Sequence, residues 1–300
     1  MTNIIIYSIV VGLLSFLLYE GLVYYQSMAE GGSEQCPPPS TEETTPLTNA
    51  QDMTQLKAVM IGATGATGKY LFAGLIKDQR FTKITTIGRR AAFIPEDVEG
   101  ASDINLEEEV KSGRLVQITK EQIDLNKEIN KETVGKYLEG HDVYFSAFGT
   151  TRKIAGSAEE FRRIDYGINV DMMTVAKEVG VPHCSFMSSQ GSNSNSYFLY
   201  MQVKGQIEDK AKELDFDKTS IWRPGVMDRG STTPRFTEKL AKFVLHTIPV
   251  QHVASAMLVE AVERFQNKGE QQGTKCVPIY LNRDIYRYDG LGSKGQPLEK

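Results

Sequence analysis

Tyr200 and Lys204 form a pair whose spacing suits proton transfer. Of the thirteen tyrosines in the chain, only Tyr200 has a lysine four residues later. Residues four apart on a helix share one face, so both side chains can reach the same substrate. A nearby ammonium favours the phenolate, which would let the tyrosine act as a general acid or base. The alternative is a half-buried helix tyrosine beside a surface lysine.

Two serines precede this pair at the end of a predicted strand. The apolar run Cys184–Ser188 is followed by Ser189. Ligands of open α/β sheets bind at the carboxyl ends of the strands, where a serine hydroxyl can orient a substrate oxygen. We therefore take Ser189, Tyr200 and Lys204 as the candidate catalytic residues, with Ser188 as the alternative serine.

A glycine-rich loop follows the first predicted strand and opens the first predicted helix. In Gly62-Ala63-Thr64-Gly65-Ala66-Thr67-Gly68, Gly62 permits a sharp turn and Gly65 lets the backbone approach a pyrophosphate. The helix N-terminus offers N–H groups to the phosphates. The alternative is a glycine turn without a ligand. We expect six residues of this loop to bind a dinucleotide: Gly62, Thr64, Gly65, Ala66, Thr67 and Gly68.

The end of the second predicted strand favours NADP over NAD. Folds that prefer NAD usually place an acidic residue here to hold the ribose 2′-hydroxyl, but this chain has Arg89 and Arg90. Two guanidinium groups suit a 2′-phosphate through charge-assisted hydrogen bonds. The expected cofactor is therefore NADPH or NADP. The alternative is a solvated basic pair at the end of a strand.

Two further strand-end loops are expected to line the same pocket. Gly149 and Thr150 follow the fourth predicted strand and are expected to pack on the cofactor. Arg223 and Pro224 follow the sixth and could line the nicotinamide, while Lys204 is also expected to hold the nicotinamide ribose. Each loop taken alone is an ordinary strand ending.

Short apolar strands alternate with helical stretches from Lys57 onward, which predicts a parallel sheet with helices on both faces. The fold class is therefore α/β, a Rossmann-type doubly wound parallel sheet. Residues 56–283 are taken as the NADP-binding domain and residues 284–300 as a C-terminal tail. The predicted strands are Ala58–Gly62, Ile84–Gly88, Leu115–Ile118, Val143–Phe148, Cys184–Ser188, Thr219–Trp222 and Lys275–Leu281. The predicted helices are Gly68–Lys77, part of Lys120–Leu138, Glu159–Val179, Tyr197–Leu214, Arg235–His246 and His252–Phe265.

The N-terminal part of the chain has two zones of different composition. Residues 4–25 are mainly apolar and Glu20 is their one charged side chain. The stretch is long enough for one transmembrane helix, so residues 1–29 are expected to form a membrane anchor. A cleaved signal peptide is the alternative, although no lysine or arginine precedes the apolar run. Residues 30–55 are rich in polar residues and proline and are expected to form a disordered linker. The charges flanking the apolar run do not define an orientation.

Composition excludes several classes of function. The net charge is −4 and no basic stripe is present, so nucleic-acid binding has no support. The three cysteines are widely spaced and argue against a disulfide framework. Histidines and cysteines show no metal-ligand spacing, so no metal site is assigned.

The ordered set of motifs from Lys57 to Phe265 resembles the Tat-interacting-protein type of atypical short-chain dehydrogenase/reductase. The resemblance implies a Rossmann fold, bound NADPH and Ser–Tyr–Lys chemistry on Ser189, Tyr200 and Lys204. It implies cofactor contacts at the three loop glycines, Arg89, Arg90, Gly149 and Thr150. The asparagine of the fuller catalytic tetrad has no counterpart in residues 145–148, and the region after Val226 is shortened. The motifs that carry the resemblance are 61–68, 87–90, 140–143, 149–152, 188–189, 198–205 and 223–226.

Two functions are carried forward from the sequence. The first is a membrane-anchored, NADPH-dependent oxidoreductase that transfers hydride to or from a small carbonyl or alcohol. The second is an NADPH-binding accessory subunit of a membrane complex, including a mitochondrial respiratory complex, with little or no turnover. Because some relatives in the resembled family are mitochondrial membrane proteins, a mitochondrial membrane is preferred to the endoplasmic reticulum.

Overall fold

The computed structural model describes residues 55–229, 247–266 and 277–288. Within these ranges, no helix has both the length and the apolar character needed to cross a bilayer. The predicted membrane anchor (1–29) and the predicted helix Arg235–His246 lie outside the described residues, as does the predicted linker up to residue 54.

The described part of the chain forms a seven-stranded sheet in which all neighbouring strands are parallel. The order is β3-β2-β1-β4-β5-β6-β9, so the chain reverses direction across the sheet between β1 and β4. A separate parallel pair joins β7 to β8. The strands are β1 Leu56–Ile61, β2 Phe81–Ile87, β3 Leu115–Ile118, β4 Val143–Ser146, β5 His183–Met187, β6 Lys218–Trp222, β7 Met227–Asp228, β8 Ile248–Pro249 and β9 Ile279–Tyr280.

Helices connect the strands and cover both faces of the sheet. The α-helices are α1 Gly68–Lys77, α2 Leu106–Lys111, α3 Lys131–Leu138, α4 Arg152–Ala155, α5 Ala158–Arg162, α6 Asn169–Glu178, α7 Leu199–Glu213, α8 Val250–Gln266 and α9 Asn282–Tyr288. A 3₁₀ turn covers Ala101–Asp103, and a π-helical turn at Arg163–Ile168 joins α5 to α6.

The strands are buried on both faces because their side chains point alternately into two apolar layers. Along β1, Ala58 and Met60 belong to one core cluster, whereas Val59 and Ile61 belong to the other. The first layer holds α1, α8 and α9, and the second holds α3, α6 and α7. A doubly wound sheet of this kind places its ligand crevice where the strand order reverses, outside the carboxyl ends of β1 and β4.

A buried polar network fixes α8 to the sheet. Glu260 on α8 accepts hydrogen bonds from Ser220 of β6 and Tyr280 of β9 and pairs with Arg264. His183 of β5 contacts the same Ser220 hydroxyl at 3.0 Å. Burial is the main reason that the pKa of His183 falls to about 4, although Glu260 opposes this shift. The imidazole is therefore neutral at physiological pH and serves as a hydrogen-bonding group inside the fold.

The predicted elements correspond closely to those in the described ranges. Helix α1 has the predicted bounds Gly68–Lys77, and each of the six strands predicted before residue 230 is present. The predicted helix Glu159–Val179 has the correct extent, but the π-helical turn interrupts its pitch. The last strand is shorter than the predicted Lys275–Leu281.

Helix α9 spans the predicted boundary between the domain and the C-terminal tail at residue 284. Ile285 has no solvent exposure, and Tyr286 is also buried against the first apolar layer. The Asp284 carboxylate accepts the Leu281 N–H at the start of the helix. The packed structure therefore continues at least to Tyr288.

We expect Ile285→Ala to destabilise the fold by about 2–5 kcal/mol, because it opens a cavity in the layer that contains α1 and α8. Urea unfolding of the full chain measures this difference. Arg287→Ala on the exposed side of the same helix is the matched control and should change stability little. Equal, small effects of the two substitutions would mean that α9 does not belong to the core.

Candidate active site

The glycine loop lies at the reversal of strand order, against the end of β4. Gly62 has a φ of +82°, and a Cβ there would lie 2.6 Å from the backbone of Ala147 and Phe148. A Cβ on Gly68 would lie 2.0 Å from the Gly62 carbonyl oxygen. Only glycine fits at these two positions, because the backbone of β1, α1 and β4 meets there.

The start of α1 has room for an anion. No side chain caps this helix and no acidic residue lies in its first turn. Thr64, Gly65 and Ala66 are partly exposed. Thr67 is buried and its hydroxyl points towards the Met227 sulfur at 3.7 Å, so it can face a ligand only through its backbone. The loop fits a pyrophosphate, because the N–H groups of an uncapped helix N-terminus favour negative charge.

Arg89 and Arg90 are exposed immediately after β2, beside the strand that leads into the glycine loop. Gly88, just before them, is fixed by a hydrogen bond from its N–H to the Ile118 carbonyl oxygen. Within the described ranges, no ion pair engages either arginine. Both guanidinium groups are therefore accessible to a phosphate in solution.

Helix α7 carries Tyr200 and Lys204, and the two side chains differ sharply in exposure. Lys204 is only 5% exposed, whereas Tyr200 is 38% exposed and its ring centroid lies 6.0 Å from that of Phe161. The pair thus extends from the interior to the surface along one helix face. The phenol lies on the solvent side, where a substrate can meet it, and the ammonium lies beneath.

The Lys204 ammonium lies at the carboxyl end of β4, next to the predicted loop residues Gly149 and Thr150. A Cβ on Gly149 would lie 3.3 Å from Lys204 Nζ, so the lysine ammonium packs closely against the backbone of this loop. Lys204 Nζ pairs with Asp165 Oδ1 at 3.1 Å, and Asp165 Oδ2 accepts the Thr150 N–H at 2.7 Å. The structure therefore joins Lys204, Asp165, Gly149 and Thr150 into one cluster, with Tyr200 one helical turn away on α7.

Burial and charge act in opposite directions on Lys204. Desolvation alone lowers the pKa of the ammonium, but opposing interactions, of which attraction by the Asp165 carboxylate is the largest, outweigh it and the net pKa is raised. Lys204 therefore keeps its positive charge inside the fold at neutral pH.

The two serines at the end of β5 have different surroundings. Ser188 is buried, and its hydroxyl donates to Glu208 and contacts Ser192. Ser189 is partly exposed, and among the described residues its hydroxyl makes only a long 3.4 Å contact, with the Gln190 carbonyl oxygen. Ser189 is thus the serine whose hydroxyl can turn towards a substrate.

The serine loop packs directly on α7 beside Lys204. A Cβ on Gly205 would lie 2.1 Å from the Ser194 backbone nitrogen, and the Asn193 N–H donates to the Met201 carbonyl oxygen. This close backbone contact requires glycine at position 205 and brings the end of β5 to the helix that bears Tyr200.

Arg223 and Pro224 connect the end of β6 to α7 and to the loop after β5. The Arg223 guanidinium binds Glu208 of α7 through two hydrogen bonds, of 2.9 and 2.5 Å, and the Pro224 carbonyl oxygen accepts the Gln190 N–H. Direct contact of either residue with a cofactor stays a prediction, since the described Arg223 contact is with α7.

Comparison with known proteins identifies the family. A family model described as NAD(P)H-binding matches residues 62–264, more than half of the chain. Protein HTATIP2 of Rattus norvegicus is 34% identical over 243 residues, which cover 77% of this chain and 91% of that protein. The mitochondrial protein FMP52 of Candida albicans is 38% identical over 172 residues, or 57% of this chain and 67% of that protein. The chain belongs to the NAD(P)H-binding family that includes HTATIP2 and FMP52.

Solved structures support the fold of this NAD(P)H-binding family member. A short-chain dehydrogenase/reductase from Saccharomyces cerevisiae, YIR035C, superimposes with a TM-score of 0.52 at 15% identity over 77% of this chain and 99% of its own. MoeE5 in complex with UDP-glucose and NAD superimposes with a TM-score of 0.53 at 15% identity, over 75% of each chain. These superpositions confirm the predicted Rossmann fold, and the NAD(P)H-binding family model confirms a nicotinamide cofactor.

Three buried polar residues of the site were missed by sequence reasoning: Asp165, Asn169 and Glu208. Asn169 donates to the Asp165 carbonyl oxygen and accepts from the Ser146 hydroxyl at the end of β4. Their sequence spacing contained a signal, because Asp165 and Asn169 are four residues apart, as are Lys204 and Glu208. The ion-pair and hydrogen-bond partners that bring these residues into the site lie on other helices and strands. The spacing does not identify those partners.

We expect Gly68→Ala to lower stability by about 1–3 kcal/mol, because the added methyl collides with the Gly62 carbonyl and displaces the loop. It should also reduce the rise in melting temperature that NADPH produces, since ligand stabilisation follows affinity. Gly167→Ala is the control, because nothing lies within 4 Å of its Cβ position. Normal NADPH stabilisation in Gly68→Ala would separate this loop from the cofactor.

Proposed function

We propose that this chain is an NADPH-dependent oxidoreductase of the short-chain dehydrogenase/reductase type, acting on a small carbonyl or alcohol and tied to a membrane by residues 4–25. One observation carries the proposal. The buried Lys204 ammonium lies at the same carboxyl edge of the sheet as the glycine loop, and the partly exposed Tyr200 is one helical turn away from Lys204 on α7. Proton transfer and dinucleotide binding are thus served by neighbouring strand ends.

Three parts of the chain would hold the cofactor. The open start of α1 would take the pyrophosphate, and the exposed Arg89 and Arg90 would take the 2′-phosphate. Gly149, Thr150 and Lys204 would lie along the nicotinamide ribose. Bound NADPH would supply the hydride that reduces a carbonyl carbon.

The chain's own residues would manage the proton and the substrate oxygen. Tyr200 would donate its hydroxyl proton to the oxygen during reduction and accept one during oxidation. The Lys204 ammonium would favour release of that proton. Ser189 would hydrogen-bond the substrate oxygen and hold it close to the phenol.

Replacement of Arg89 and Arg90 by alanine should raise the Kd for NADPH by about tenfold or more and leave the Kd for NADH nearly unchanged. The reason is that charge-assisted hydrogen bonds to the 2′-phosphate would be lost, at about 1.5–3 kcal/mol each. Fluorescence titration of the two cofactors measures both constants. Lys111→Ala, an exposed charge change on α2, is the control. Equal losses for NADPH and NADH would refute the 2′-phosphate assignment.

Tyr200→Phe should lower turnover by about 10²- to 10⁴-fold, because the proton donor is removed while the ring remains. NADPH affinity should stay close to that of the unmodified chain. The assay follows NADPH oxidation at 340 nm with a panel of small aldehydes and ketones. Tyr197→Phe is the matched control, since Tyr197 is fully exposed three residues earlier. Full activity in Tyr200→Phe would rule out Tyr200 as the donor.

We also propose that the site works at a mitochondrial membrane. Relatives named as mitochondrial include FMP52 of Meyerozyma guilliermondii, which is 34% identical over 78% of this chain and 97% of its own length. The apolar residues 4–25 provide the proposed anchor.

Exposed apolar side chains favour one further candidate function, that of an accessory subunit. Ile154, Tyr197 and Phe198 are 70%, 104% and 56% exposed, and a protein partner would cover such groups. In this case NADPH would be a structural ligand. Stabilisation by NADPH without oxidation of NADPH by any carbonyl in the panel would favour this second function.

A further inference from the structure

Asp165 is a buried carboxylate that the proton-transfer scheme does not itself require. It has no solvent exposure and lies in the π-helical turn Arg163–Ile168. Its Oδ1 faces Lys204 Nζ at 3.1 Å, and a Cβ on Gly149 would lie 3.1 Å from the same oxygen. The carboxylate and the ammonium are therefore both packed against the loop that follows β4.

The other carboxylate oxygen fixes that loop. Asp165 Oδ2 accepts the Thr150 N–H at 2.7 Å, and the Asp165 carbonyl oxygen accepts the Asn169 amide. Asn169 in turn accepts the Ser146 hydroxyl at 2.6 Å. Asp165 thus links Lys204 to the loop through its carboxylate, and to the end of β4 through its backbone carbonyl oxygen and Asn169.

The charged groups near Lys204 make Asp165 its main electrostatic partner. The nearby acidic groups are Asp165, Glu208 and the Tyr200 phenol. Glu208 is bound by Arg223 through two hydrogen bonds, so its charge is largely compensated. Without Asp165, the desolvation of Lys204 would be opposed mainly by a compensated carboxylate and a neutral phenol. A buried lysine in such surroundings tends to lose its proton.

We infer that Asp165 is a positioning residue of this site, which holds Lys204 in its charged form against Gly149 and fixes the Thr150 loop with the same carboxylate. The inference rests on the proposed function, because it concerns how the Tyr200–Lys204 pair is kept ready for proton transfer. A neutral lysine amine would carry no charge with which to promote proton release from the phenol. Asp165 would act through Lys204 and would not itself touch the substrate.

The test follows the protonation of Lys204 directly in the full chain, without cofactor or substrate. ¹³C-labelled lysine side chains are titrated by NMR, and the Lys204 signal is assigned by its absence in Lys204→Met. In Asp165→Asn, the Lys204 signal should titrate at a pH about 1 unit lower or more, because the compensating charge is gone. Asp171→Asn, an exposed change of the same type on α6, should leave the signal unchanged. The same titration in Asp165→Asn and the unmodified chain would overturn the inference.

If Asp165→Asn does not fold, a double variant tests the positioning role of Asp165. Asp165→Asn combined with Lys204→Met removes both charges and leaves a neutral pair of similar volume, which the interior tolerates better than one unpaired charge. Recovery of folding in the double variant would support the inference. Failure of the double variant to fold would overturn the assigned role, since an unpaired Lys204 charge would then not be the reason that the single variant fails.

This readout separates the inference from the proposed function. A chain that turns over no substrate can still show the lower titration of Lys204 in Asp165→Asn. Conversely, the chain could be active while Lys204 titrates identically in Asp165→Asn and in the unmodified chain. The proposed function would then stand, and Asp165 would have no positioning role.

Discussion

The close backbone contact between the glycine loop and the end of β4 is the constraint on which the rest of the site depends. At Gly62 a side chain would collide with Ala147 and Phe148, and at Gly68 it would collide with Gly62 itself. These collisions involve backbone atoms, which cannot rotate away as a flexible side chain can. The start of α1 is therefore held at a fixed distance from the loop that carries Gly149. The glycine loop and the lysine site share one rigid junction.

Helix α7 is fixed to this junction by two buried ion pairs one helical turn apart. Lys204 pairs with Asp165 on the connection that follows β4, and Glu208 pairs with Arg223 at the end of β6. Buried pairs add little net stability compared with apolar packing, but removal of one partner leaves a costly unpaired charge. Rotation of α7 about its axis would separate both pairs at once. The two pairs thus specify the orientation of the helix and, through it, the position of Tyr200.

The sequence was sufficient for the features that depend on local pattern. The glycine spacing predicted both the loop and the start of α1, because turn geometry and helix start are encoded within a few residues. Arg223 shows the limit of this reasoning. Its place after β6 was predicted, but its partner Glu208 lies fifteen residues earlier on another element. Ile285 shows the same limit, since an apolar residue after the last strand belongs to the core only through contacts with distant helices.

The π-helical turn at Arg163–Ile168 explains why Asp165 was not predicted. A local change of pitch hardly alters the apolar pattern of a long helix, so 159–179 is typical of one continuous α-helix. In the structure, the Asp165 carbonyl oxygen accepts the Asn169 side chain, and the Asp165 carboxylate is free to face Lys204 and Thr150. Turns of this type are rare and frequently occur at functional sites. The π-helical turn therefore supports the buried ion pair, because regular α-helical pitch would point the Asp165 carboxylate in another direction.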